Sequence, residues 1–353
     1  MPAEPIKGRG ACANPLSRFE SLAREAFDDG WERPPDDAVP RTVVYAETSR
    51  SIISRNDSPD VPFSQSVNPY RGCEHGCIYC YARPSHGYLG FSSGLDFETR
   101  LVAKTNAAEQ LRRELGKASY RVAPIALGAN TDPYQPIERE WRLTREILAV
   151  LADHRHPCTI VTKSSLIERD LDVLSPMASQ GLAQAFVSIA SLDRSLARTL
   201  EPRAASPERR LLTVERLAKA GIPTGVLVAP VIPGLTDAQL ERVLAAAREA
   251  GATEAGYVFV RLPHEVAPLF EQWLEAHHPL KASRVMGLIR EARGGRDNDP
   301  RFGMRMRGTG IFASLLEQRF RKAHRRLGYR DAAVRLETGL FRVPSRDPQR
   351  SLF

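Results

Sequence analysis

The sequence has no run of eighteen apolar residues, so no helix that crosses a membrane, and no membrane partner, is expected. Met1 to Gly10 is polar and proline-bearing and lacks the apolar core of a signal peptide. Cysteine is scarce, with five in 353 residues, and three of those fall in one short loop. That distribution excludes a secreted disulfide scaffold and points to a reducing, cytoplasmic setting. Internal repeats and low-complexity tracts are absent. Aromatic residues make up 7% of the chain and form no interleaved ladder of the kind that stacks bases.

What is present suffices for one large core with appendages, or for two domains, at 42% hydrophobic content. Charge is unevenly placed. The stretch 284–330 holds thirteen Arg or Lys against four Asp or Glu, an excess greater than the +8 of the whole chain. Two readings stay open for it, contact with nucleic-acid phosphates or a solvated helical face.

Three regions are expected. Residues 1–60 lack clear periodicity, are broken by Pro34, Pro35 and Pro40, and read as a largely irregular N-terminal extension with one short helix over Pro15 to Phe27. Residues 61–263 alternate between short apolar runs and amphipathic helices near 137–153, 167–178, 206–220 and 236–250. The runs are 124–128, 158–162, 185–189, 224–229 and 257–260, and a strand just before Cys73 makes six. Continuous apolar runs with β-branched residues suit strands buried on both faces, and alternation with helices gives an α/β fold with a parallel sheet. Residues 264–353 form a basic C-terminal helical region, with helices over 264–277, 281–292 and 311–327, and end in a loose tail.

The segment Asn68-Pro69-Tyr70-Arg71-Gly72-Cys73-Glu74-His75-Gly76-Cys77-Ile78-Tyr79-Cys80-Tyr81 carries the sharpest signal. Its C-x3-C-x2-C spacing suits three iron corners of an iron–sulfide cubane, with the fourth iron left open to bind a small molecule. The alternative is a structural zinc completed by His75, His86 or Cys12, in a nucleic-acid-binding module without catalysis. Zinc sites more often pair two C-x2-C knuckles, and no second knuckle exists here.

The motif resembles that of the radical S-adenosylmethionine (radical SAM) superfamily. More narrowly, NPYRGCEHGCIYCYAR is similar to the branch containing spore photoproduct lyase, called DNA repair photolyase-like, and the likeness runs from Arg9-Gly10-Ala11 through Arg293-Gly294-Gly295. The resemblance implies a partial (β/α)6 barrel, which the count of six strands matches. It implies a lyase-like enzyme with a [4Fe-4S] cluster on Cys73, Cys77 and Cys80. S-adenosylmethionine would be cleaved reductively to a 5′-deoxyadenosyl radical that abstracts hydrogen from the substrate. A flavodoxin or ferredoxin would deliver the electron.

The family pattern also implies cofactor contacts at the carboxyl ends of the strands, where ligands gather in parallel α/β folds. Tyr79 fills the aromatic slot that contacts adenine, or else packs against the cluster. Asn130, Thr131 and Asp132 match the segment that binds the methionine amino group, although Asp132-Pro133 is also an ordinary helix start. Lys163 matches the lysine that reaches the cofactor carboxylate, and Ser188 the serine that joins it. Val228 to Asp237 resembles the segment that packs on adenine, and Arg261 would point to the barrel mouth or make a rim salt bridge. Where spore photoproduct lyase has a hydrogen-donating cysteine, Gly128-Ala129-Asn130-Thr131 has no thiol, which speaks against thymine-dimer repair by that route. Tyr134 is a candidate substitute for that hydrogen donor. His75 reads as a solvated loop residue, and Cys158 as core.

Overall fold

The computed structural model describes residues 4–19 and 40–344. Ten strands are present among them: β1 Val43–Glu47, β2 Ile53–Arg55, β3 Gln65–Val67, β4 Tyr70–Arg71, β5 Arg100–Lys104, β6 Ile125–Leu127, β7 Cys158–Thr162, β8 Ala183–Ser188, β9 Thr224–Val231 and β10 Glu254–Phe259. The main sheet has the order β10-β9-β8-β7-β6-β3-β2. Six neighbours, β3 and β6 to β10, run parallel and follow chain order, while β2 pairs antiparallel with β3 at the edge. Strand alternates with helix along this series, as in a partial (β/α)6 barrel that is open between its first and last strands. Val226, Val228, Val187, Ala185, Ile160 and Leu127 are buried on one face of the sheet, while Leu227, Phe186 and Val161 on the other face are half-buried.

A second sheet, β1-β5-β4, lies beside it, with β1 parallel and β4 antiparallel to β5. It holds the approach to the cysteine loop, because Tyr70 pairs with Ala103 and Arg71 with Val102. The stretch expected to be irregular up to residue 60 therefore contributes two strands. Of the helix expected over Pro15 to Phe27, residues 15–19 are not helical and the rest lies outside the described residues, as do Pro34 and Pro35.

The connecting helices bury one stripe each. Pro207–Lys219 is capped by Ser206, whose hydroxyl accepts from Arg209 N, and it buries Arg210, Thr213, Val214 and Leu217. The helix expected over 137–153 is divided at Arg142, which takes φ +53°, into Glu138–Trp141 and Leu143–Asp153.

After β10 come helices Val266–His277, Pro279–Glu291 and Gly310–Arg326. The tail beyond them is not loose as far as Pro344. Arg330 N donates to Thr253 O, Val334 N to Glu254 Oε1, Glu337 N to Gly181 O and Arg342 N to His154 O. It thus crosses the amino-terminal ends of β10, β8 and β7, and Phe341 packs against Tyr120, His154 and His156. This strap closes the end of the sheet opposite the cysteine loop. Pro348 lies outside the described residues.

Candidate active site

The cysteine loop leaves β4 through Gly72, at φ +75°, and turns again at Gly76, at φ +68°, conformations that favour glycine. It is pinned by Cys73 N to Phe97 O (2.9 Å), Ile78 N to Leu200 O (3.2 Å) and Cys80 N to Cys77 O (3.2 Å). Beneath it, Arg83 and Glu98 form an ion pair with both side chains fully buried. Arg83 also donates to Cys77 O (2.9 Å) and Gly76 O (3.1 Å), so its guanidinium reads the loop's backbone directly. Glu98 accepts from Gly10 N (3.0 Å) and Ala11 N (2.9 Å). A Cβ on Gly10 would stand 1.9 Å from Gly76 O. The Arg9-Gly10-Ala11 stretch therefore clamps the cysteine loop from below. Cys12 is half-buried beside this clamp, where burial and then Glu98 push its thiol pKa up.

Cys73 and Cys77 are buried and Cys80 is half-buried. Burial pushes the Cys73 thiol up, and it pushes Cys77 to about 12 against the opposing pull of Lys163. Without a metal these groups stay protonated, so loading must displace their protons. Among the described residues no three His, Cys, Asp or Glu side chains converge tightly enough to grip a single ion. Two of the candidate fourth ligands for zinc are also engaged elsewhere: His86 Nε2 lies 2.8 Å from Arg100 O, and His75 faces Asp132.

A buried polar network lies under the loop. The Tyr79 phenol donates to Glu201, and Glu201 pairs with Arg210, whose Nη1 donates to Ser188 O at 2.9 Å. Burial pushes Glu201 up, but Arg210 and Lys163 hold it below its ordinary value. Lys163 sits at the end of β7 with its Nζ 5.9 Å from the centre of the Tyr79 ring. Burial pushes its ammonium down, yet Cys77 and Glu201 outweigh this and raise it, so it is charged. Among the described residues the ammonium has no hydrogen-bond or ion-pair partner, which leaves a cation facing the cysteine loop.

At the end of β6, Gly128 takes φ +91°, and a Cβ there would come 2.2 Å from Val161 O. Asp132 is largely shielded and lies among donors. Its Oδ1 accepts from Tyr134 N (2.9 Å) and Thr162 Oγ1 (2.7 Å), and its Oδ2 from Lys163 N (2.7 Å), with His75 Nδ1 at 3.3 Å. Burial pushes this carboxyl up, but His75 and the three hydrogen bonds bring it down to about 2. With about four lone-pair sites on a carboxylate, Asp132 has little capacity left for a ligand. Through its Oδ2 it also holds the Lys163 backbone. Thr131 donates to Tyr70 O (3.1 Å) and is buried, and Ser188 donates to Ala229 O (3.0 Å). Of the segment 130–132, the Asn130 amide alone carries no hydrogen bond among the described residues.

Two expectations are corrected by these contacts. His75 is buried against Asp132 and is not a solvated loop residue. Tyr134 is fully buried and donates to Asp170 (3.1 Å), so it faces the packed interior and not a substrate. For Arg261 the mouth-facing reading stands over its alternative: its guanidinium lies over the Tyr81 ring at 5.2 Å, with no salt bridge among the described residues. Cys158 is core, as expected. The turn after β9 is self-contained, with Ile232 N donating to Thr236 Oγ1 and Gly234 N to Asp237 Oδ1, both at 2.7 Å.

Glu98, Arg83, Glu201, Arg210 and Gln135 were not anticipated. Gln135 joins the loop to the end of β6, accepting from Glu74 N (2.9 Å) and donating to Gly72 O (3.1 Å). The basic stretch 284–330 is partly neutralised, with six of its thirteen Arg or Lys in ion pairs among the described residues. Arg290, Arg301, Arg305, Arg307, Arg319 and Arg321 pair with carboxylates, and Arg293 is buried.

Comparison with known proteins places this geometry. The model of the radical SAM superfamily matches residues 67–247. An uncharacterized protein of Mycobacterium tuberculosis is 41% identical over 232 residues, 65% of this chain and 68% of the relative. An uncharacterized protein of Methanocaldococcus jannaschii is 28% identical over 213 residues, 60% of this chain and 76% of the relative. Among solved structures, spore photoproduct lyase complexed with dinucleoside spore photoproduct aligns with a TM-score of 0.56 at 16% identity, covering 81% of this chain and 80% of that one. This last likeness is one of fold.

Proposed function

This chain belongs to the radical SAM superfamily, and from that premise we propose that Cys73, Cys77 and Cys80 hold a [4Fe-4S] cluster used to cleave S-adenosylmethionine. The observation that carries the reading is the pairing of three thiols on one clamped loop with an unpartnered Lys163 cation facing them. The residues fit the group: the donors are thiols, two of them buried, and Gly72 and Gly76 give the loop its turns.

Each residue then has a defined task. The three cysteines lose their protons on metal loading and hold one iron each. Lys163 pairs with the carboxylate of S-adenosylmethionine. Asn130 offers its amide oxygen to the amino group, while Thr131 and Asp132 keep the β6 and β7 ends in register. Tyr79, its phenol fixed by Glu201, would offer its ring to the adenine of the cofactor, and Ser188, bonded to Ala229 O, would hold the β8 end. When bound, cluster and cofactor together supply one-electron scission of the sulfonium and a hydrogen-abstracting radical. The surrounding apolar strand ends, Val231 and Ile232 among them, exclude water from that chemistry.

The catalytic unit in this reading is residues 61–263, with the C-terminal helical region 264–353 as an appendage and Arg9-Gly10-Ala11 of the N-terminal extension clamping the loop. A small reductant such as flavodoxin or ferredoxin delivers the electron. For the substrate, a nucleotide-containing molecule is the favoured class, since spore photoproduct lyase, which shares the fold, has been solved with a dinucleoside. The missing thiol at Gly128–Thr131 separates this chain from that lyase's own route.

The test is anaerobic reconstitution with iron and sulfide, chemical reduction, and mass spectrometry for 5′-deoxyadenosine. Formation of 5′-deoxyadenosine from S-adenosylmethionine is expected. Its absence from a preparation that carries the full cluster would refute the reading.

A further inference from the structure

Residues beyond the end of β10 build a second cationic feature, distinct from Lys163. Arg261 follows Phe259 and Val260 at the mouth of the part-barrel. Its guanidinium spans to the cysteine loop and lies over Tyr81, whose phenol donates to Ala129 O at the end of β6. Arg261 thus bridges the open side between the last strand and the first strands. Its Nε is buried without a hydrogen-bond partner, and its Nη1 has only the Met306 sulfur, at 3.8 Å.

The neighbouring charges do not neutralise it. Arg305 lies close, but Arg305 and Asp60 pair with each other, and Asp60 also accepts from Gly303 N at 2.6 Å. Arg293, behind Arg261, is 1% exposed and donates only to the backbone oxygens of Phe259, Val260 and Met304, with its Nε also unpartnered. Asp299 pairs with Arg301. Among the described residues, then, neither Arg261 nor Arg293 has a carboxylate within ion-pair distance. Holding uncompensated cations partly out of water is costly, and proteins ordinarily pair them. A guanidinium with a free edge at a cleft mouth matches an oxyanion in a planar, two-pronged contact.

Resting on the reading of this mouth as the radical site, we propose that Arg261, backed by Arg293 and stacked on Tyr81, is an anion subsite that takes a phosphate or carboxylate of the substrate. Tyr81 adjoins Cys80, so an anion held there anchors the substrate beside the cluster loop while Lys163 keeps the cofactor. The neighbouring Arg301 and Arg305 are ion-paired, so Arg261 and Arg293 are the arginines at the opening that lack a carboxylate among the described residues.

The test titrates inorganic phosphate into the full chain at low ionic strength in chloride-free buffer, followed by calorimetry. It compares wild type with Arg261→Gln, Arg261→Lys and the rim control Arg321→Gln. Arg261→Gln is expected to weaken phosphate at least tenfold and Arg261→Lys several-fold, with Arg321→Gln unchanged. Phosphate binding that is absent from wild type, or equal in Arg261→Gln, overturns the proposal.

A second arm measures S-adenosylmethionine affinity of the cluster-loaded protein, which is expected to change less than twofold in Arg261→Gln. A parallel loss there would assign the anion to the cofactor's carboxylate and overturn the substrate assignment. The thermal midpoint of Arg261→Gln is expected to equal or exceed that of wild type, because an unpaired cation is removed. A fall of several degrees would make Arg261 a structural residue and count against the proposal. The phosphate arm needs neither cluster nor turnover, so its failure and a failure of S-adenosylmethionine cleavage are separable results.

Discussion

Arg83 and Glu98 meet at 2.5 Å with both side chains fully buried, directly beneath the cysteine loop. Through this pair the loop's own carbonyls, at Gly76 and Cys77, are tied to the backbone of Gly10 and Ala11. Removing one partner leaves the other as an uncompensated buried charge. Glu98→Gln is expected to destabilise the fold by about 3 kcal/mol or more and to lower iron retention. Urea unfolding and iron analysis of the same preparation check both. A variant with wild-type stability and full iron would show that the clamp is dispensable.

The clamp has a steric side as well. Gly10→Ala places a methyl where Gly76 O stands, at 1.9 Å, so one backbone must retreat. Slower cluster assembly and faster proteolysis near the cysteine loop are expected, although residue 10 is remote in sequence from any ligand. Limited proteolysis of the metal-free chain reads this directly.

Among the described residues Lys163 is the unpartnered cation opposite the cysteines, whereas Asp132 already accepts three hydrogen bonds and faces His75 at 3.3 Å. Lys163→Ala is expected to retain the cluster and to weaken S-adenosylmethionine by about 10- to 100-fold, the range of a charge-assisted bond of roughly 1.5–3 kcal/mol. Equilibrium binding to cluster-loaded protein measures it. Unchanged affinity would remove Lys163 from the cofactor site.

Glu168 joins the turn after Lys163 to the helix Pro207–Lys219, pairing with Arg209 through both oxygens at 2.6 and 2.8 Å and with Arg216. Burial pushes its carboxyl up, but Arg209, Thr213 and Arg216 outweigh this and hold it below 4.5. A lowered folded-state pKa means stability that is fully present above about pH 4.5, the unfolded value, and is lost as pH falls through the folded one. Wild type is therefore expected to exceed Glu168→Gln in thermal midpoint above pH 5, with the gap closing below pH 4. A gap that does not vary with pH would contradict the ion-pair account.

What was readable in the sequence had local grammar. The cysteine spacing lies within eight residues, and five apolar runs separated by helical segments mark β6 to β10 of the main sheet; the sixth parallel strand, β3, lies a little before the strand expected just ahead of Cys73, where β4 of the second sheet stands. What was hidden depends on distant partners. Tyr79 meets Glu201 from 122 positions away and Gly10 meets Glu98 from 88, so neither acid stands out from a solvated one in the sequence. Strand β5 carries Arg100 and Lys104 at its ends, which mask its three buried residues. The tail looked loose because it is charged, yet backbone hydrogen bonds and Phe341 hold it to the sheet as far as Pro344. Asp132 drew attention as a short acid past a strand, a signal that does not distinguish a ligand contact from a carboxylate that braces the next strand.

The most direct measurement is the iron and acid-labile sulfide content of oxygen-free, reconstituted wild type beside Cys77→Ala. The account predicts about four irons and four sulfides per wild-type chain and substantial loss of both in the variant, together with loss of 5′-deoxyadenosine formation. A colourless protein holding one zinc, or a Cys77→Ala variant that still forms 5′-deoxyadenosine at the wild-type rate, would contradict it.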